Sequence, residues 1–210
     1  KDLNVFDYSK SKYQTTLKER IIVNDNYYLR KDDEMFQKPF RKSIIETFKK
    51  KASSYDAVIF SDYAKGFLSK NLFADILEIS LKKDLITFLD PNVKNKFDFN
   101  KIDYFKPNLK ESIEFSKKKK IPDILRYLSK TYSTTPVITL GEVGSVSIEN
   151  NKIIYSKKYK SKMVDTSGSG DIFFAYFVYS ILNNNSLLRS LNYSSKEASK
   201  HVKYFGFNKK

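Results

Sequence analysis

Cysteine is absent from the 210 residues, and histidine occurs once, as His201. The first absence excludes a disulfide framework and a thiolate zinc site, and the second leaves no imidazole cluster for a catalytic metal. Any metal must then be held by oxygen ligands, a condition that Mg²⁺ carried with a nucleotide meets. No apolar run approaches membrane-spanning length, and the opening Lys1-Asp2-Leu3-Asn4 lacks the apolar stretch of a secretory signal. A cytoplasmic location without membrane contact is therefore expected. Internal repeats, low-complexity tracts and long linkers are missing as well, so residues 1–210 read as one domain or a large part of one.

Acidic residues are in the minority, 24 against 39 Lys and Arg, for a formal charge of +15. Lysine runs at 49–51, 117–120 and 157–162 invite a nucleic-acid reading. These runs lie far apart, at helix ends and in connections, and alternate with Glu46, Asp56, Glu111, Glu114 and Asp123. A solvated basic surface accounts for them, no specific nucleic-acid partner is expected, and the charge favours anionic substrates.

The most informative stretch is Asp165-Thr166-Ser167-Gly168-Ser169-Gly170-Asp171, which opens a strongly apolar run through Phe173, Phe174, Phe177, Val178 and Ile181. Without side chains at Gly168 and Gly170, the amides of a helix start can approach an anion closely, and the helix dipole favours negative charge there. A carboxylate at Asp171 would repel a passively bound phosphate, but it suits a base that takes a proton from an attacking hydroxyl. That combination points to phosphoryl transfer, with an ordinary capped helix start as the plain alternative. A Walker loop is excluded because no Gly-Lys pair exists in the chain, and a dinucleotide fingerprint is excluded because Phe173 stands where its third glycine belongs.

Strand and helix patterns alternate along the chain. Residues 20–30 read as a hairpin turning at Asn24-Asp25-Asn26, and a helix spans Phe40 to about Ala52. Strands are expected at 57–60, 85–89, 102–105 and 136–140, and helices at 69–82, 110–116 and 121–131. A hairpin of strands 145–149 and 152–156 turns at Asn150-Asn151, and helices 168–183 and 187–204 close the chain. Such alternation predicts the α/β class, with a mostly parallel sheet covered by helices on both faces and ligands at the carboxyl ends of its strands. Polar clusters stand at four such ends: Ser61-Asp62-Tyr63, Asp90-Pro91-Asn92, Lys106-Pro107-Asn108 and Gly141-Glu142. Turn chemistry alone also favours these residue types.

With these motifs in this order, the chain resembles the ribokinase-like (PfkB) carbohydrate kinases. The 165–171 segment is similar to that family's C-terminal motif. Ser61-Asp62-Tyr63-Ala64-Lys65-Gly66, Asp90-Pro91-Asn92, Lys106-Pro107-Asn108 with Glu111, and Thr139-Leu140-Gly141-Glu142-Val143-Gly144 support it. Thr16 to Ile22, Arg30 and Asp32 are similar to the heptose-7-phosphate kinase branch. The resemblance implies a three-layer ribokinase-like sandwich, ATP and Mg²⁺ as cofactors, and a sugar phosphate as acceptor.

It further implies roles for particular residues. Asp171 is the base, and the amides of Gly168, Ser169 and Gly170 face the transferring phosphoryl group. Thr139, Gly141, Gly144, Asn108 and Thr166 line the nucleotide site, while Asn108 and Glu111 position Mg²⁺. Lys18, Arg20, Arg30, Asp62, Tyr63 and Lys65 lie on the sugar-phosphate side, the 16–32 hairpin included. The glycine-paired N-terminal portion of such kinases has no match here, so the chain reads as the C-terminal two-thirds of the fold. A missing N-terminal segment or a homodimer would complete it, and a non-catalytic nucleotide-binding module or pseudokinase stays open beside another sugar or nucleoside kinase.

Overall fold

The computed structural model describes residues 16–23, 26–36, 38, 41–161 and 164–203. In chain order its elements are β1 (Leu17–Val23), β2 (Asn26–Asp33), α1 (Arg41–Lys51), β3 (Ala57–Ser61), α2 (Lys70–Lys82), β4 (Ile86–Asp90) and β5 (Tyr104–Phe105). They continue with α3 (Leu109–Ser116), α4 (Ile121–Tyr132), β6 (Thr135–Thr139), β7 (Ser145–Glu149), β8 (Lys152–Tyr155), α5 (Ser169–Leu182) and α6 (Leu187–His201). The elements β3 to β8 form a six-stranded sheet in sequence order, parallel from β3 to β6 and antiparallel across β6–β7–β8.

Alternation along the strands feeds a core on each face of this sheet. On β4, Leu89 joins a cluster with Leu72, Phe73 and Ile76 of α2 and Leu125 and Leu128 of α4. Its neighbour Phe88 points the other way, into a cluster with Phe173, Phe174 and Phe177 of α5 and Leu191 of α6. Helix α5 is apolar on most sides because it is pressed between the sheet and α6. Serines let α6 approach closely, and the buried Ser190 hydroxyl donates to Ser180 at 2.9 Å. The expected three layers are thus present.

Local chemistry sets the element ends. Ser69 caps α2 by accepting from the Leu72 amide at 3.2 Å. Asn150 and Asn151 both adopt positive φ, 49° and 62°, the conformation a two-residue hairpin turn requires. The strand expected over 102–105 is shorter, because the Asp103 carboxylate accepts from both the amide and the hydroxyl of Thr87 (2.8 and 2.7 Å), replacing ladder bonds there. The turn of the first hairpin at Asn24-Asp25, the Phe40 start of α1 and the extension of α6 to Tyr204 lie outside the described residues.

Strands β1 and β2 form a separate antiparallel ribbon. Its register sets Lys18 opposite Asp32 and Arg20 opposite Arg30, so these four residues share one face, while Leu17, Ile21 and Leu29 share the other.

Candidate active site

The parallel strands deliver Ser61, Asp90, Phe105 and Thr139 to one edge of the sheet, and the next residues of the chain build the site there. Lys106 leaves β5 and is buried, 5% exposed, with its ammonium 2.8 Å from Asp90 Oδ2 and 5.3 Å from the centre of the Phe174 ring. It lies under the first turn of α5, since a methyl group built on Gly170 would meet Lys106 Nζ at 3.7 Å. A cation at the positive end of a helix needs anionic company. Burial pushes Asp90 up to about 6, the charges of Glu111 and Asp171 add to the rise, and the charge and hydrogen bond of Lys106 hold it down.

The turn into α5 is fixed from below. Asp165 is buried and its Oδ1 accepts from the Ser167 amide at 2.8 Å, the amides of Val164 and Asp165 donate to the Val202 carbonyl, and His201 Nε2 lies 2.9 Å from the Ser167 carbonyl. Gly168 is left-handed (φ 73°), which glycine adopts without steric cost. The first α-helical bond runs from the Ile172 amide to the Gly168 carbonyl, so the amides of Gly170 and Asp171 lie in the open first turn. Of the three amides expected to meet a phosphoryl group, that of Ser169 already donates to the Thr166 carbonyl at 3.1 Å.

Beside this turn is a cavity of about 460 Å³ lined by Thr139, Gly141, Gly144, Thr166, Ser169 and Gly170. The residues assigned to the nucleotide from the sequence are thereby gathered, apart from Asn108, which bridges to Thr139 behind them. Gly144 has φ 102°, and a methyl group there would lie 2.3 Å from Ser156 Oγ, a hydroxyl already donating to the Lys157 carbonyl and accepting from the Ser145 amide. Gly144→Ala is expected to cost about 1–3 kcal/mol from backbone conformation alone. Thermal unfolding of the variant beside the parent checks this.

Asp171 is exposed in the first turn of α5 and accepts from the Tyr63 hydroxyl at 3.1 Å. Burial pushes the Tyr63 phenol above its ordinary value, a hydrogen bond with Ser61 lowers it, and the charges of Asp171 and Asp90 raise it. Lys18 Nζ approaches the Tyr63 ring, 5.9 Å from its centre, and Lys65 pairs with Glu34 just past β2. Asp62 behaves differently from its neighbours. It is 8% exposed, and its carboxylate accepts from the Ala64 amide and from Asn95 Nδ2 (2.8–2.9 Å), so it shapes the loop that presents Tyr63. Arg20 and Arg30 stand exposed beyond Lys18 on the same ribbon face, with Arg30 2.9 Å from Asp32.

Asn108 and Glu111 meet as a capping box on α3: Asn108 Oδ1 accepts from the Glu111 amide at 2.9 Å, and Glu111 Oε2 accepts from the Asn108 amide at 2.8 Å. Among the described residues no group of three or more His, Asp or Glu is placed to hold a metal by itself. A hydrated Mg²⁺ arriving on a nucleotide fits this donor set, because it needs only one or two protein oxygens.

The profile of the pfkB family carbohydrate kinases matches residues 8–209. The chain belongs to that family. Over 193 residues the pfkB chain is 26% identical to the bifunctional protein HldE of Helicobacter pylori, covering 88% of itself and 42% of that relative. Against HldE of Sulfurimonas denitrificans the figures are 27% over 194 residues, 88% and 40%. It thus spans about two-fifths of the length of these curated relatives. Ribokinase from Thermotoga maritima superposes with a TM-score of 0.73 at 18% identity, over 91% of this chain and 64% of that one. Arabidopsis thaliana ribokinase complexed with ribose and ATP gives 0.68 at 18%, over 85% and 60%. These likenesses show the ribokinase-like fold, and no helix among the described residues is long and apolar enough to cross a membrane.

Two contributions to the site of this pfkB member escaped the sequence reading. Lys106 belongs to the Lys106-Pro107-Asn108 strand exit, but its burial beneath the glycine turn depends on α5, far along the chain. Lys158 and Lys160, counted only as part of a basic run, line the cavity together with Ser195 of α6.

Proposed function

We propose that the chain transfers the γ-phosphoryl group of ATP to a hydroxyl of a sugar that already carries a phosphate, with heptose 7-phosphate as the acceptor the sequence favours. The observation that carries this is the placement of Asp171 between two anion-attracting features. On one side are the cavity and the open amides of α5, and on the other, reached through Tyr63 and Lys18, is the basic face of the β1–β2 ribbon. Arg20 directly opposite Arg30 is unfavourable for an empty ribbon, and a bound phosphate relieves it with forked, charge-assisted hydrogen bonds. Asp32 Oδ1 is buried with no hydrogen-bond partner among the described residues, while its Oδ2 pairs with Arg30.

The chemistry follows from these positions. Asp171 accepts the proton of the acceptor hydroxyl as its oxygen forms a bond to the γ-phosphorus, and the bond from that phosphorus to the bridging oxygen breaks. The Gly170 and Asp171 amides, with Lys106 beneath them, oppose the charge on the equatorial oxygens. Asn108 and Glu111 would hold a nucleotide-borne Mg²⁺ with its waters, and that ion would neutralise part of the phosphate charge. Turnover of heptose 7-phosphate, fructose 6-phosphate and unphosphorylated ribose, followed by ADP release, tests the reading. Phosphorylated acceptors are expected to give the higher kcat/KM, and a preference for ribose would remove the role given to Arg20 and Arg30.

A further inference from the structure

The ribbon touches the rest of the site at the Ser61–Gly66 loop, through Lys18 on the Tyr63 ring and Glu34 on Lys65. The same Tyr63 hydroxyl is hydrogen-bonded to Asp171. We propose that Tyr63 is a positioning residue for the base, holding Asp171 Oδ1 so that Oδ2 meets the acceptor hydroxyl, and that Lys18 ties this orientation to the placement of the β1–β2 ribbon.

Asp171 needs such a partner. It is exposed, and a carboxylate in open solvent samples several rotamers. A donor on one oxygen selects the rotamer and leaves the other oxygen for the proton. Tyr63 is itself held from two sides. Asp62, clasped by Asn95 and the Ala64 amide, fixes the backbone beside it, and Lys18 rests over its ring. A sugar phosphate bound on the ribbon face therefore acts on the base through one side chain, because Lys18 lies on that face together with Arg20 and Arg30.

This inference rests on the phosphoryl-transfer reading, and its test separates the two. Tyr63→Phe keeps the ring and removes the hydroxyl. With heptose 7-phosphate and ATP, kcat is expected to fall roughly 10- to 100-fold, as for a reacting group moved by about 1 Å. KM for both substrates should hardly move. Lys18→Met should lower kcat in the parent and have no further effect in the Tyr63→Phe background, the non-additivity of two residues acting through one contact. An unchanged kcat in Tyr63→Phe, or a loss confined to KM, overturns the proposal, as does additivity with Lys18→Met. A second measurement works without turnover. With tyrosines labelled at Cζ, NMR titration of the Tyr63 phenol should move to lower pH in Asp171→Asn, since the Asp171 charge contributes to its raised value. No movement there also overturns the proposal. If the parent chain turns over no sugar but the phenol moves as expected, the contact stands and the kinase reading fails.

Discussion

Asp171→Asn is expected to lower kcat by about 10²- to 10⁴-fold, the usual contribution of a positioned general base, while ATP binds as tightly as before or more tightly. The amide keeps the shape of the side chain and can still accept from Tyr63, but it cannot take the proton of an incoming hydroxyl. Structural damage is expected to be slight. The side chain is exposed, and loss of a negative charge from the first turn of α5 costs about 0.3–1 kcal/mol. Binding should hold because the cavity amides remain and a carboxylate that repels the γ-phosphate has gone. Steady-state turnover alongside calorimetric titration with ATP checks both halves, and turnover at the parent rate would remove Asp171 as the base.

The largest loss of stability is expected from Lys106→Met. This change preserves much of the side-chain length and the packing on Phe174, but it leaves Asp90 without its cation. Removing one member of a buried pair typically costs about 3–5 kcal/mol. Asp90 can escape part of this by staying protonated, which gives the effect a pH signature. Its carboxyl lies at about 6 in the folded protein against an ordinary 3.8, so the stability it contributes is fully present below pH 4 and is lost as the pH rises through 6. Without Lys106 the folded value rises further, and stability continues to fall at higher pH. The gap in Tm between the parent and Lys106→Met should therefore be wider at pH 8 than at pH 5. A gap equal at both values would mean that Asp90 and Lys106 do not act as a charge pair.

Much of the architecture was legible because its signals are local. Apolar runs such as 57–60 and 136–140, the Ser69 cap and the Asn150-Asn151 turn each carry their own physical cause, and the structure places them within a residue or two. The glycine turn was legible for the same reason. Less visible were side chains whose work is set by distant neighbours. Asp103 shortens β5 by bonding to Thr87, 16 residues away, and Asp62 turns inward because Asn95 waits 33 residues on. Asn108 and Glu111 were placed on one face of a helix, and they do meet, but as a mutual cap of its start. Tyr63 and Asp171 are 108 residues apart, and no spacing rule joins them. Only folding of β3 and α5 onto the same sheet edge does so.

Among the described residues the β1–β2 ribbon shares no strand pairing with the six-stranded sheet. The contacts between the two include side-chain pairs such as Lys65 with Glu34, whose side chains are 36% and 23% exposed. A partly exposed ion pair of this kind is worth about 0–1 kcal/mol and weakens with salt. Added salt is therefore expected to loosen the ribbon's hold on the Ser61–Gly66 loop. With the acceptor phosphate on the ribbon face, as proposed, KM for that acceptor is expected to rise with added salt.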